Sequence, residues 1–102
     1  MNEQEEVADF VATHGLDAPP AYRLLDLTAE VGELAADAAK TSNYGATPGE
    51  LTVKEDELGD ALFALLALAD ALDVDAGDAL ATSLAKYRDR LEGTGGAGSG
   101  ER

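Results

Sequence analysis

The chain has 102 residues, 45% of them hydrophobic, no cysteine and a formal net charge of −14. Such a length allows one small domain with a modest core, the lack of cysteine excludes disulfides and thiolate metal sites, and the acidity repels nucleic-acid phosphates. The longest uncharged apolar run, Ala61 to Ala69, is too short to span a bilayer, and Met1-Asn2-Glu3 opens an acidic segment unlike a signal peptide, so a cytoplasmic protein with no membrane or nucleic-acid partner is expected.

In chain order, the first helix is predicted over about Glu3 to Thr13, with Val7, Phe10 and Val11 at helical spacing and His14-Gly15 as its stop. Pro19-Pro20 open a second helix that runs to about Thr41, where Ser42 to Gly49 form a loop rich in turn formers. The third helix is expected from about Glu50 to Leu72. The corner Asp73-Val74-Asp75 separates it from a fourth, about Ala76 to Glu92, whose Ala79, Leu80, Leu84, Tyr87 and Leu91 are expected to face inward. No strand signal appears, and short connections favour antiparallel neighbours. The expectation is therefore an all-α, four-helix antiparallel bundle in a single domain over 1–92, followed by a Gly-rich tail, 93–102, that is expected to be disordered.

One phrase occurs twice: Glu30-Val31-Gly32-Glu33 and Glu57-Leu58-Gly59-Asp60. Residues three apart on a helix share a face, so two such helices side by side can converge four carboxylates, the donor set a hard cation such as Mg2+ requires. The spacing alone is weak, since Glu3/Glu6, Glu6/Asp9, Asp70/Asp73, Asp75/Asp78 and Asp89/Glu92 repeat it in an acidic chain whose composition resembles that of proteins from salt-loving microbes. Context separates the two repeats from these. Glu57 and Asp60 stand at the mouth of the apolar run, and their face continues as Ala61, Ala64, Ala67, Leu68 and Ala71. Glu30 lies at the edge of the stripe formed by Leu24, Leu27, Val31, Leu34 and Ala38. Carboxylates so placed are costly without a partner. Gly32 and Gly59 each cost their helix roughly 1 kcal/mol relative to Ala, which asks for either close helix packing or room for a metal or phosphate.

From Leu24 to Arg90 these residues resemble the MazG-type all-α nucleoside triphosphate pyrophosphohydrolases, relatives of the dimeric helical dUTPases. That family pairs Glu-Glu-x-x-Glu on one helix with Glu-x-x-Asp on the next, the latter usually Glu-Leu-Gly-Asp before a Leu/Phe/Ala-rich run. Here Glu57-Leu58-Gly59-Asp60-Ala61-Leu62-Phe63 and Glu30-Val31-Gly32-Glu33-Leu34 fit, while Ala29 replaces the first Glu of the triplet and Leu84 stands where the family often has Asn. The resemblance implies Glu30, Glu33, Glu57 and Asp60 as Mg2+ ligands, with Mn2+ able to substitute. It also implies a homodimer or homotetramer, and hydrolysis of a (d)NTP between the α and β phosphates to (d)NMP and pyrophosphate.

Within that reaction Glu33 is the candidate general base, with Glu30 beside it as the second catalytic carboxylate. Lys86 and Arg90, one turn apart, are candidates for phosphate contacts, although cations near a helix C-terminus also answer its dipole. Lys40 and Lys54 flank the 42–49 loop and are further candidates. Asn43 and Tyr44 in that loop are a candidate lid over base or sugar. Two other classes compete. A di-iron carboxylate site needs Glu-x-x-His twice, whereas the lone His14 follows Val11-Ala12-Thr13. A non-catalytic helical interaction or regulatory module would keep the fold without turnover.

Overall fold

A computed structural model describes residues 2–94, and these form four α-helices and one short 3₁₀ turn without a strand. Helix α1, Asn2–Thr13, stops where Gly15 takes a left-handed conformation (φ 63°) that a side chain would resist. The Leu16 and Gly15 amides then close back on the Val11 and Ala12 carbonyls, satisfying the helix end. Helix α2, Pro20–Thr41, begins on an extended Pro19 with Pro20 in its first turn, the position where a missing N–H costs nothing.

The region after α2 differs from the sequence expectation. Helix α3 spans Glu55–Ala71 and not Glu50 onward. Pro48–Glu50 make the 3₁₀ turn, Leu51 is extended, and the Thr52 amide donates to Thr41 Oγ1 at 2.8 Å. A strand-like tether between α2 and α3 thus takes the residues that helical propensity would have added. Ser42 anchors the turn before it: its hydroxyl donates to the Ala38 carbonyl at 2.6 Å, and its own carbonyl accepts from the Thr47 amide at 2.8 Å.

Helix α3 is the centre of the molecule, packed against both α2 and α1. Among the described residues the buried apolar side chains are few and mostly small: Val11, Ala64, Leu66, Ala67 and Ala69. Alanines on α3 let the helices approach closely at the cost of a thin core. Arg23 of α2 is also buried, its guanidinium donating to the Leu16 carbonyl and standing 3.9 Å from Asp26, so the charge is satisfied where it lies.

Helix α4, Ala76–Thr94, leaves through a corner in which Asp73 is left-handed (φ 57°) and the Asp75 carboxylate caps the new helix by accepting from the Asp78 amide at 2.8 Å. The side chain of Gln4 closes that corner. Its Nε2 donates to the Val74 carbonyl at 2.8 Å and its Oε1 accepts from the Ala76 amide at 2.7 Å. Beyond this clamp α4 contacts the other helices only sparsely. Its apolar side chains, expected inside, are therefore exposed: Leu80, Leu84, Tyr87 and Leu91, with Ala79 beside them. Nothing among the described residues covers them. The helix also runs through Gly93 and Thr94, the first residues expected to be tail; the rest of that tail lies outside the described residues.

Candidate active site

Helix α2 carries acids at Asp26, Glu30, Glu33 and Asp37, steps of four, three and four that keep them on one face. Helix α3 brings Glu57 and Asp60 in its first two turns, where acidic residues also suit the positive end of the helix dipole. The two helices run antiparallel at this face, so that Asp37 meets Glu57 while the field of Asp60 reaches Glu30.

The electrostatics record crowding. Burial, followed by the charges of Glu33, Asp60 and Asp26, raises the Glu30 pKa above the ordinary glutamate value. Glu57 is raised first by a hydrogen bond with the Asp37 carboxyl, then by burial and by the charge of Asp37; Lys54 pulls the other way. Two carboxyls bond to each other only through a proton, so Glu57 holds one more readily than an isolated glutamate. On each of these glutamates one oxygen, Glu30 Oε1 and Glu57 Oε1, is buried with no hydrogen-bond partner. A buried unpaired carboxylate oxygen carries a desolvation cost that a cation removes.

Among the described residues no three acidic side chains already enclose a cation-sized space. Glu33 and Asp60 are exposed beside the two half-buried glutamates. The site is an open acidic face with two half-buried members and two exposed ones.

Of the two readings of the glycines, close packing is not supported within the chain. A Cβ at Gly32 or Gly59 would meet nothing within 4 Å. Gly59 instead floors an open apolar groove of about 550 Å³ walled by Leu27, Val31, Leu58, Leu62 and Leu65.

The structure brings together the predicted acids and Lys54, whose side chain is felt by Glu57. Lys40 lies in the last turn of α2, and Asn43 and Tyr44 form a tight turn after it, both with φ of 55° and Tyr44 79% exposed. Lys86 and Arg90 flank the Tyr87 ring, at 5.4 and 5.5 Å from its centroid, on the loosely attached α4. Asp37 was not among the sequence candidates. Its signal was present, since it falls two turns after Glu30 and one after Glu33, but only the packing of α3 against α2 sets it beside Glu57.

A family model described as the MazG nucleotide pyrophosphohydrolase domain matches residues 1–93. The chain belongs to the MazG family. No curated protein and no solved structure matches it. Membership extends beyond the Leu24–Arg90 stretch that carries the acidic motifs, and makes α1 part of the MazG domain. Among the described residues no helix is long and apolar enough to cross a membrane.

Proposed function

We propose that this MazG-family chain is a Mg2+-dependent nucleoside triphosphate pyrophosphohydrolase that converts a (d)NTP to (d)NMP and pyrophosphate. The observation that carries this reading is the pair of buried, partnerless oxygens on Glu30 and Glu57, on facing helices of one acidic face. Glu30, Glu33, Glu57 and Asp60 would hold the cation, for which Mn2+ can stand in. When bound, Mg2+ supplies neutralising charge for phosphate oxygens and acidifies a water for attack on the α phosphorus.

The chain's own residues account for the rest. The half-buried Glu30 and Glu57 form the inner part of the site. Glu33, exposed beside Glu30, is placed to accept the proton of the attacking water. So acidic a face repels a free triphosphate and accepts it only with its countercharge. Lys54 supplies positive charge at the edge, with Lys40 at the end of α2 and Asn43 and Tyr44 on the adjoining connection as further contacts. Cleaning unwanted nucleotides from a cytoplasmic pool is a role that suits this chemistry.

A second copy is part of the proposal. Leu58 is 61% exposed, and Leu62, Leu65, Leu80 and Leu91 are each about half exposed. Leu58, Leu62, Leu65 and Leu80 line two apolar grooves that share Leu65. Apolar grooves side by side at the surface are a mark of an interaction face on a soluble protein. Burial in a homodimer or homotetramer covers it, and α4 of a neighbouring copy is the means by which Lys86 and Arg90 reach a phosphate.

The deciding experiment follows nucleotide products by chromatography with Mg2+, with Mn2+ and in excess chelator. Equal amounts of monophosphate and pyrophosphate that disappear on chelation are expected. Release of orthophosphate alone, or full turnover in chelator, would reject the mechanism; a folded oligomer inert toward every NTP would favour the non-catalytic module.

A further inference from the structure

Phe10 of α1 is a large ring left 48% exposed in a helix that otherwise packs on α3. Its position is nevertheless well defined. His14 packs against it at 4.4 Å between centroids, and Phe63 of α3 meets it edge-on at 6.0 Å with an interplanar angle of 88°. The Phe10 and Phe63 rings form one wall of an open cleft of about 480 Å³, whose other lining residues are Glu6, Val7 and Asp60. Asp60 is thus shared between the cleft and the acidic face, and Phe63, three residues on, is its neighbour on the same side of α3.

We propose that this cleft is the nucleobase subsite of the MazG site and that it selects bases bearing an exocyclic amino group, namely cytosine, adenine or guanine. The proposal rests on the pyrophosphohydrolase reading and adds the class of base. A ring face is the recognition element open to so acidic a chain, because a neutral aromatic plane stacks on Phe without meeting its charge, and base stacking on an aromatic is indifferent to which base it is. Selection then falls to the polar groups on the rim. When ionised, Glu6 and Asp60 can only accept hydrogen bonds. Asp60 belongs to the phosphate end, which leaves Glu6, one turn before Phe10 on the same face of α1, to meet the edge of the base. An amino group donates to it, whereas the 4-carbonyl of uracil or thymine would face it oxygen to oxygen. The volume is in the range of small-ligand pockets, and the open mouth admits a nucleotide without a rearrangement of α1.

The test measures steady-state turnover of dCTP, dATP, dGTP, dUTP and dTTP, together with equilibrium binding of the monophosphates dCMP and dUMP by calorimetry, for the full chain and its variants. Wild type is expected to favour dCTP over dUTP by about tenfold in kcat/KM. Glu6→Gln, whose amide can donate as well as accept, should bring that ratio to within about threefold. Phe10→Ala should raise KM about tenfold for every substrate with kcat little changed, and Phe10→Tyr, which keeps the ring, should restore it. Helix content by circular dichroism identifies a Phe10→Ala protein that fails to fold, in which case Phe10→Leu, similar in volume but without a ring face, replaces it and is expected to give the same rise. Turnover with unchanged KM in the ring-less variants, or equal rates for all five substrates in wild type, would overturn the subsite and leave the pyrophosphohydrolase reading standing. Binding of dCMP that is lost in Phe10→Ala, in a wild type that turns over no triphosphate, would uphold the cleft as a nucleotide subsite and reject the hydrolase.

Discussion

At the scale of single residues, the acids of α2 and α3 divide by surroundings and not by type. Asp60 faces other carboxylates, whereas Asp70, ten residues on, is an ordinary exposed acid of α3. Replacing Asp60 by Asn should abolish turnover, because an amide is a weaker ligand for a hard cation, and should leave metal-free stability level or higher by relieving repulsion. Melts in chelator and in Mg2+ read this out, since a ligand held only by the folded state raises its stability. Wild type and Asp70→Asn should gain equally from Mg2+ and Asp60→Asn less. Equal gains in all three would remove Asp60 from the site. The pH dependence has a definite sign. Glu30 and Glu57 have folded pKa values above their ordinary 4.5, so between 4.5 and those raised values the native state holds more protons than the unfolded chain. Metal-free stability should therefore rise as pH falls through that window. Asp75, lowered from 3.8 chiefly by its bond from the Asp78 amide, acts oppositely, its contribution being lost only as pH drops below that value. Chemical denaturation at stepped pH checks this, and Glu30→Gln should flatten the rise.

At the scale of elements, α3 takes its place from α1 and α2, and α4 takes its direction from the corner that Gln4 clamps. Gln4 is a buried side chain whose two amide ends satisfy backbone groups on either side of that corner. Gln4→Ala would strand both and should cost about 1–3 kcal/mol in urea unfolding, while weakening self-association through loss of α4's fixed course. An unchanged midpoint would mean that water replaces the amide without penalty. Gly59 gives the converse case. With open space around a Cβ, Gly59→Ala should gain the helix about 0.5–1 kcal/mol, yet it narrows the apolar groove and should weaken assembly. Stability and association measured together should move in opposite directions.

At the scale of the whole molecule, large apolar side chains of the described residues gather at the surface, in the two grooves and along the face of α4. Sedimentation at working concentration should therefore show a dimer or tetramer. Leu62→Lys, placed in the groove between α2 and α3, should shift the population toward monomer, because an unpaired charge cannot be buried there at small cost. A folded wild-type species near 10.5 kDa would contradict the assembly.

What the sequence determined by itself was whatever depends on local periodicity. Alternation at 3.6 residues, Pro20 at a helix start and Gly15 at a helix stop place α1, α2 and the all-α class without reference to neighbours, and the two acid-x-Gly-acid phrases carry the MazG resemblance. The start of α3 was not legible, because the tether from Thr52 to Thr41 joins residues eleven apart and helical propensity knows nothing of it. Nor was the exposure of Leu80, Leu84 and Leu91: an amphipathic pattern states that a face needs a partner, not that the partner lies in the same chain. The acidic site shows the same division. Glu30, Glu33, Glu57 and Asp60 could be chosen by spacing, but the join of Asp37 to Glu57, and which oxygens are buried without a partner, depend on how two helices pack, and distance between helices is set by tertiary structure alone.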